Sequence, residues 1–141
     1  MPKATFYTHV AHRENFICQL ARRVYMEKNL IIRCENHEQV HQLDELLWSQ
    51  EPNSFPAHDV WQGGEFPENT PIVLMCGEIH QTLSSKFSVV LNLHEEPCLQ
   101  NIQRVLEIIG TSEEELQSAR VRFKAYRDAG FELEHHSMKG K

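Results

Sequence analysis

Three cations and one aromatic ring share a stripe near the end of this sequence. The stripe, which we call the cationic ridge, consists of Arg120, Phe123, Lys124 and Arg127. Their spacing of i, i+3, i+4 and i+7 places them on one side of an α-helix, whereas Arg122 points elsewhere. Cationic groups bind carboxylates, and a ring among them binds apolar groups. The spacing therefore predicts a site for a ligand that is both anionic and apolar, such as an acidic peptide that ends in a ring and a carboxylate.

The ridge lies in a segment that carries the start and stop signals of one helix. Thr111 and Ser112 are followed three residues on by Glu114 and Glu115, which is a capping-box pattern, and Gly130 follows the segment as a stop. Glutamates crowd the first turn and cations the last turns, as in any helix that complements its macrodipole. That interpretation does not explain the central ring, and both interpretations stay open at this point.

The segment HEQVH, residues 37–41, matches the H-E-x-x-H motif of zinc hydrolases. In that motif two histidines one turn apart bind zinc and the glutamate activates water. His37 and His41 would be the ligands, Glu38 the base, and Glu45 a possible third ligand. The pair stands at the exposed start of a helix after Asn36, with no cleft expected around it. A zinc-dependent hydrolase is therefore kept as an alternative and is not the preferred function.

Other catalytic or cofactor-binding patterns are weak. The serines and the four cysteines lack an elbow such as GxSxG, and the cysteines form no CxxC pair, so we expect reduced core thiols. The first strand-to-helix connection, THVAHRENF, contains no glycine, and the chain has no P-loop. We predict no catalytic residue, no metal and no cofactor. A nucleotide-binding regulatory α/β domain stays as a second alternative.

Two aromatic residues form a further candidate surface. Trp48 stands near the end of a predicted helix, and Phe55 lies in a proline-rich stretch where full burial is hard. Exposed together they would form an aromatic anchor for a protein partner. The ordinary alternative is that both rings cover the end of the sheet.

Length and composition indicate one soluble domain. The chain has 141 residues, 40% hydrophobic and 24% charged, with a formal net charge of -6. That charge argues against direct coating of DNA or RNA, which needs a broad basic surface. The sequence has neither an apolar run that could cross a bilayer nor the apolar core of a signal peptide. We expect a cytoplasmic protein that makes no membrane contact and meets DNA only indirectly.

Hydrophobic spacing predicts alternating strands and helices. A strand at residues 4–8 precedes a helix that runs to about residue 28; a strand at 30–34 and a helix opened by Asn36 follow. A long irregular loop covers residues 52–71, and strands are predicted at 72–76 and 87–93. Apolar residues from Leu99 to Ile109 indicate a third helix, ahead of the helix of the cationic ridge.

This order predicts one three-layer α/β domain. We expect an open, mostly parallel, twisted sheet with helices on both faces, Rossmann-like but without a nucleotide motif. The domain is expected to span residues 1–133. Residues 134–141 contain little that could be buried, so we expect a mobile tail there.

Three segments resemble the chi subunit family of bacterial DNA polymerase III. RFKAYRDAGF is similar to the family's C-terminal signature, KATFYTH to its opening strand, and HQLDELLWSQEPNSFPAH to its second helix and the loop after it. The three segments occur in the family's order and at its separations, so the resemblance runs over essentially the whole length.

The resemblance implies a non-catalytic adaptor with two faces. The positions that match the cationic ridge would bind the acidic C-terminal tail of single-stranded DNA-binding protein, with Phe123 in place of the family's more familiar tyrosine and Ile109 lining the same pocket. The positions that match Trp48 and Phe55 would bind the psi subunit and, through it, the clamp loader. The family has no metal at HEQVH. Without psi, the aromatic face would serve another partner, such as a helicase.

Overall fold

One seven-stranded sheet organises the part of the chain that the structure describes. The structure is a computed structural model, and it describes residues 2–25, 29–49, 58–61, 72–76, 88–99 and 102–138. The strands are β1 (Lys3–Thr8), β2 (Leu30–Cys34), β3 (His58–Val60), β4 (Ile72–Cys76), β5 (Val89–Asn92), β6 (Arg104–Ile108) and β7 (Glu132–Ser137). The helices in these ranges are α1 (Arg13–Tyr25), α2 (His37–Ser49) and α3 (Glu113–Asp128).

The sheet is parallel and open, with helices on both faces. The strand order is β3-β4-β2-β5-β6-β1-β7, and every neighbouring pair runs parallel. Apolar residues of α1 and α2 pack with one face of the sheet, and those of α3 pack with the other. The predicted three-layer α/β fold is confirmed. Because both faces are covered, the central strands are apolar at nearly every position.

Most predicted elements lie where the sequence pattern placed them. Strands β1, β2 and β4 match their predictions, and α2 begins after Asn36, whose Oδ1 accepts a hydrogen bond from Gln39 N at 2.8 Å. Helix α1 ends at Tyr25, and residues 26–28, to which the prediction extended it, lie outside the described residues. The predicted irregular loop contains the short edge strand β3, and most of its other residues lie outside the described ranges.

The predicted third helix before α3 is wrong. Residues 104–108 form β6, which lies between β5 and β1 near the middle of the sheet. Leu99, the first apolar residue of the predicted helix, is 48% exposed. Periodicity alone does not distinguish a short buried strand from a buried segment of a helix. Here the segment lies in the sheet between two covered faces, as a strand does.

The segment predicted as a mobile tail from Glu134 contains most of an edge strand. Residues 132–137 form β7, which pairs with β1 along its whole length, from Lys3 opposite Glu132 to Thr8 opposite Ser137. This edge strand is polar because much of its surface faces solvent, so its sequence lacks the apolar run that marks a buried strand. Residues 139–141 lie outside the described ranges, and a mobile end there stays a prediction.

Candidate functional site: the cationic ridge and its pocket

Helix α3 presents the cationic ridge, and both of its ends are set by local sequence. The Ser112 hydroxyl caps the start by accepting a hydrogen bond from Glu115 N at 3.2 Å. Gly130, with φ of 88°, ends the helix, and Phe131 N donates to the Tyr126 carbonyl at 3.0 Å. The rings of Phe131 and Tyr126 pack with centroids 5.1 Å apart, as in a Schellman motif. The predicted start and stop are confirmed.

The two cations that flank the ring have no acidic partner in the described part of the chain. Arg120 and Lys124 are exposed, and neither forms an ion pair there. Arg127 Nε lies 3.7 Å from Asp128 Oδ1, with the two side chains 61% and 63% exposed. A pair this exposed stabilises by about 0–1 kcal/mol. Both flanking cations are therefore available to a ligand.

The helix macrodipole accounts for only part of this charge pattern. Residues 113–115 are acidic in the first turn, and Arg127 is basic in the last turn, as the macrodipole favours. Arg120 stands in the middle of α3, where the macrodipole effect has fallen away. Arg120 is exposed and has no ion-pair partner among the described residues, which favours a binding role.

Phe123 is half-buried and forms one wall of a pocket. Its ring meets the Phe6 ring edge to face, with centroids 5.2 Å apart. The pocket beside it has a volume of about 240 Å³ and is lined by Phe6, Thr8, His9, Leu116, Ala119, Arg120, Phe123 and His135. Typical small-molecule sites have volumes of about 300–1,000 Å³, so this pocket is smaller. It suits a single side chain, and the ridge supplies charge at its rim.

Ile109 does not line this pocket. Its side chain is 1% exposed and belongs to the core cluster beneath α3, with Phe6 and Tyr126. Ile109 directly follows β6 instead of ending a helix, and it lines a separate crevice at the carboxyl ends of β5 and β6. The structure thus places the Ile109 side chain in the core and outside the lining of the ridge pocket, and its implied role in tail binding stays a prediction.

A buried polar cluster, which the sequence pattern did not reveal, anchors the inner side of α3. At its centre is Glu107 of β6, which is 1% exposed. Its carboxylate accepts hydrogen bonds from Arg122 Nε at 3.0 Å, Asn92 Nδ2 at 2.8 Å and the Tyr126 hydroxyl at 2.7 Å. Arg122 was predicted to point away from the ridge, and this is confirmed. The one available signal was a glutamate inside the apolar run RVLEIIG.

This cluster fixes how α3 is rotated on the sheet. Burial raises the pKa of the Glu107 carboxyl, and the nearby Arg122 guanidinium opposes that effect. Burial and then the Glu107 carboxylate raise the pKa of the Tyr126 hydroxyl, which also accepts a hydrogen bond from Cys98 N at 2.9 Å. Because partners left unpaired in the interior are costly, α3 is held with Arg122 and Tyr126 inward. The cationic ridge faces outward as a result.

The aromatic candidates stay untested. Trp48 lies in the last turn of α2, but its side chain and all of Phe55 lie outside the described residues. Their role in binding the psi subunit stays a prediction.

The HEQVH segment gains no support as a zinc site. His37 and His41 are both exposed, and the His37 ring lies beside Cys76, with Nδ1 3.4 Å from Sγ. Within the described ranges no group of three or more His, Cys, Asp or Glu side chains is arranged to hold a metal ion. Burial, with a smaller effect of the neighbouring Cys76, raises the pKa of the Cys34 thiol to about 12, so the Cys34 thiol stays protonated.

The crevice where α/β sheets commonly bind nucleotides is unsuited to phosphate. It lies at the carboxyl ends of β5 and β6 and has a volume of about 300 Å³. Its lining includes the acids Glu35, Glu95, Glu114 and Glu115 and the cations Arg13 and Arg122. Arg122 is already paired with Glu107. An excess of carboxylates repels an anionic ligand, so the nucleotide-binding alternative gains no support.

Comparison with known proteins identifies the family. The family described as DNA polymerase III chi subunit, HolC, matches residues 1–134. This chain belongs to that family. The DNA polymerase III subunit chi of Escherichia coli (strain K12) is 27% identical over 143 residues, which cover 94% of this chain and 96% of that protein. The subunit of the same name from Pseudomonas aeruginosa is 27% identical over 125 residues, covering 86% of this chain and 83% of that protein. That from Haemophilus influenzae is 25% identical over 124 residues, covering 85% and 83%.

Membership in the chi family supports a role in DNA replication as an accessory polymerase subunit. The solved structure of Saccharomyces cerevisiae dbp5 bound to gle1 and ip6 is similar in fold, with a TM-score of 0.65 at 9% identity. The likeness covers 97% of this chain and 42% of that chain, and it concerns the fold alone. Among the described helices, none combines the length and the apolar character that a membrane-spanning segment requires.

Proposed function

We propose that this chi-family protein is a non-catalytic adaptor of the DNA polymerase III holoenzyme. One face, the cationic ridge, binds the acidic C-terminal tail of single-stranded DNA-binding protein. A second face, which carries Trp48 and Phe55, binds the psi subunit and thereby the clamp loader. The protein works in the cytoplasm and meets DNA only through these partners.

The observation that carries the proposal is that exposed cations on α3 lie beside an open apolar pocket. Arg120 and Lys124 have no acidic partner among the described residues, and Arg120 shares the pocket lining with Phe123. An acidic tail supplies carboxylates to the cations, and a terminal aromatic side chain enters the pocket.

The expected affinity is moderate. A terminal ring that enters a partly apolar pocket contributes about 1.5–3 kcal/mol. Each charge-assisted contact to a carboxylate contributes about 1.5–3 kcal/mol. With one such contact at each of the three ridge cations, and after the cost of ordering the tail, the total is close to the free energy of a micromolar complex, about 8 kcal/mol. Such a complex releases readily, yet it is effective when many tails line one DNA strand.

A peptide titration tests this function. The probe is a fluorescently labelled peptide of several aspartates that ends in Phe with a free carboxylate, mixed with the purified full chain. We expect saturable binding that weakens as salt is added, because exposed charges are screened. No binding, or binding that is indifferent to salt, would contradict an ionic tail site.

A further inference from the structure

Two histidines line the ridge pocket on the side of the sheet. His135 belongs to β7 and pairs in register with Phe6 of β1, and His9 directly follows β1. Both line the same pocket as Arg120 of α3. The pocket therefore has a permanent cation on its helix side and two titratable rings on its sheet side.

A hydroxyl group joins the two rings. Thr8 Oγ1 lies 2.7 Å from His135 Nε2 and 3.2 Å from His9 Nδ1. Ser137 Oγ lies 3.4 Å from the same nitrogen of His9. The other ring nitrogens, His135 Nδ1 and His9 Nε2, have no hydrogen-bonding partner within the described ranges. Each ring thus keeps one nitrogen for a ligand.

The backbone of His9 is held in a strained conformation. Its φ of 59° lies in the left-handed region, and it is the only residue other than glycine with a positive φ in the described part of the chain. This conformation is unfavourable for a residue other than glycine and persists only where the surroundings enforce it, most often at ligand sites and switches. Strain at the pocket wall is a second, independent reason to assign a ligand to this side.

We propose that His9 and His135 form an anion subsite opposite Arg120, which binds the terminal carboxylate of an acidic tail more tightly as the pH falls. This inference rests on the proposed tail-binding function. The apolar residues Phe6, Leu116 and Phe123 receive the terminal ring. Because a C-terminal residue carries its carboxylate close to its side chain, that carboxylate lies at the polar rim between Arg120 and the histidines.

The surrounding charges set the direction of the pH effect. Arg120 faces the subsite from α3, His9 faces it from the end of β1, and none of the described lining residues carries a carboxylate. Glu134, the neighbour of His135 on β7, is paired with Lys3 and His136. A proton taken up by either pocket histidine therefore adds positive charge that the ligand carboxylate neutralises.

The polar contacts tolerate this protonation. When His135 is protonated, the Thr8 hydroxyl accepts a hydrogen bond from its Nε2 and still donates to His9. When His9 is protonated, its Nδ1 donates to the hydroxyl of Thr8 or of Ser137. Histidine changes charge between about pH 5 and 8. Aspartate and terminal carboxyl groups titrate near about pH 3–4, so the tail stays ionised across that range. A change in affinity there reports on the protein.

The test is a titration of the same Asp-rich peptide, as free acid and as C-terminal amide, at about pH 6 and about pH 8. We expect the free acid to bind about three- to tenfold more tightly at the lower pH. In the double variant His9→Asn and His135→Gln that ratio falls to about one. Asn is chosen at position 9 because it tolerates positive φ. With the native protein, the amide form of the peptide binds with about equal affinity at both pH values.

Lys124→Ala separates this inference from the function on which it rests. That variant lowers affinity at both pH values and keeps their ratio, since it leaves the histidines in place. If the free acid binds the native protein with equal affinity at both pH values, the histidine subsite is wrong and tail binding stands. The same conclusion follows if the double variant or the amide peptide keeps the pH ratio. If the native protein binds the free acid at neither pH, the proposed function itself is wrong.

Discussion

The Phe123 ring meets the Phe6 ring edge to face, with centroids 5.2 Å apart and planes inclined at 64°. Phe6 lies in β1 and is 2% exposed, so this contact joins a ring on the helix surface to the core of the sheet. A ring held in this way loses little freedom when a ligand arrives, which favours binding. Phe123 therefore contributes to both the packing of α3 and the wall of the pocket.

We predict that Phe123→Ala weakens binding of the acidic peptide by about tenfold, a loss of about 1.4 kcal/mol. The same change lowers the free energy of unfolding by about 1–3 kcal/mol, because the half-buried ring leaves a gap against Phe6. Phe123→Tyr, which keeps the aromatic ring, keeps the affinity within about threefold. Peptide titration and thermal unfolding measure the two effects. Unchanged affinity in the alanine variant would remove the ring from the site.

Tyr126→Phe tests the buried cluster behind the ridge. The change removes one hydroxyl, which donates to Glu107 at 2.7 Å and accepts from Cys98 N at 2.9 Å. We expect a loss of about 1–3 kcal/mol in the free energy of unfolding, since two buried partners lose a hydrogen bond. Peptide affinity should change little, because Tyr126 does not line the pocket. Full stability in this variant would contradict the anchoring role of the cluster.

Glu134 ties β7 to β1 in a pH-dependent way. Hydrogen bonds from Lys3 and then His136 lower the pKa of Glu134 to about 2 from an ordinary 4.5. A lowered pKa in the folded state stabilises the protein above the unfolded value, and this contribution is lost as the pH falls toward about 2. We expect Glu134→Gln to cost at most about 1 kcal/mol near neutral pH, since the pair is part-exposed. The difference between variant and native protein vanishes in strong acid.

An NMR titration of the Glu134 carboxyl measures this pKa directly. A midpoint at or above the ordinary value of 4.5 would show that the pair with Lys3 does not form in solution. Glu132→Gln, on the same strand, is the matched control. Glu132 forms no ion pair among the described residues, and its substitution leaves the acid dependence unchanged.

Phe55→Ala is predicted to weaken binding of the psi subunit and to leave peptide binding at the cationic ridge unchanged. Lys124→Ala provides the reverse control, because it weakens peptide binding and leaves psi binding intact. Affinity measurements with purified psi and with the labelled peptide give both values for each variant. Loss of both partners in either variant would mean that the two faces are not separate.

The sequence predicted the layers and the cationic ridge because their signals are local. Helix spacing, the cap at Ser112 and the stop at Gly130 depend on neighbouring residues, and each was found where expected. Strand β6 was missed because four of its five residues are buried, and such a short segment carries no periodicity that separates strand from helix. Strand β7 was missed because an edge strand needs few apolar residues.

The pocket itself depends on contacts that join distant parts of the chain. Thr8 and His135 are 127 positions apart, and they meet only because β7 returns beside β1. Glu107 likewise contacts Arg122 and Tyr126 because β6 lies in the sheet beneath α3. The core position of Ile109 likewise depends on β6 lying in the sheet. No spacing rule within a single sequence supplies these contacts.

The most direct test of a ridge that binds an acidic tail is the affinity of the labelled peptide for Arg120→Ala, Lys124→Ala and Arg127→Ala, each compared with Arg23→Ala. The control removes the same charge from an exposed arginine on α1, on the other face of the sheet. We expect about a tenfold loss or more for the first two variants, a smaller loss for Arg127→Ala because that group is paired with Asp128, and no loss for the control. Equal affinity for all four variants and the native protein would contradict the account.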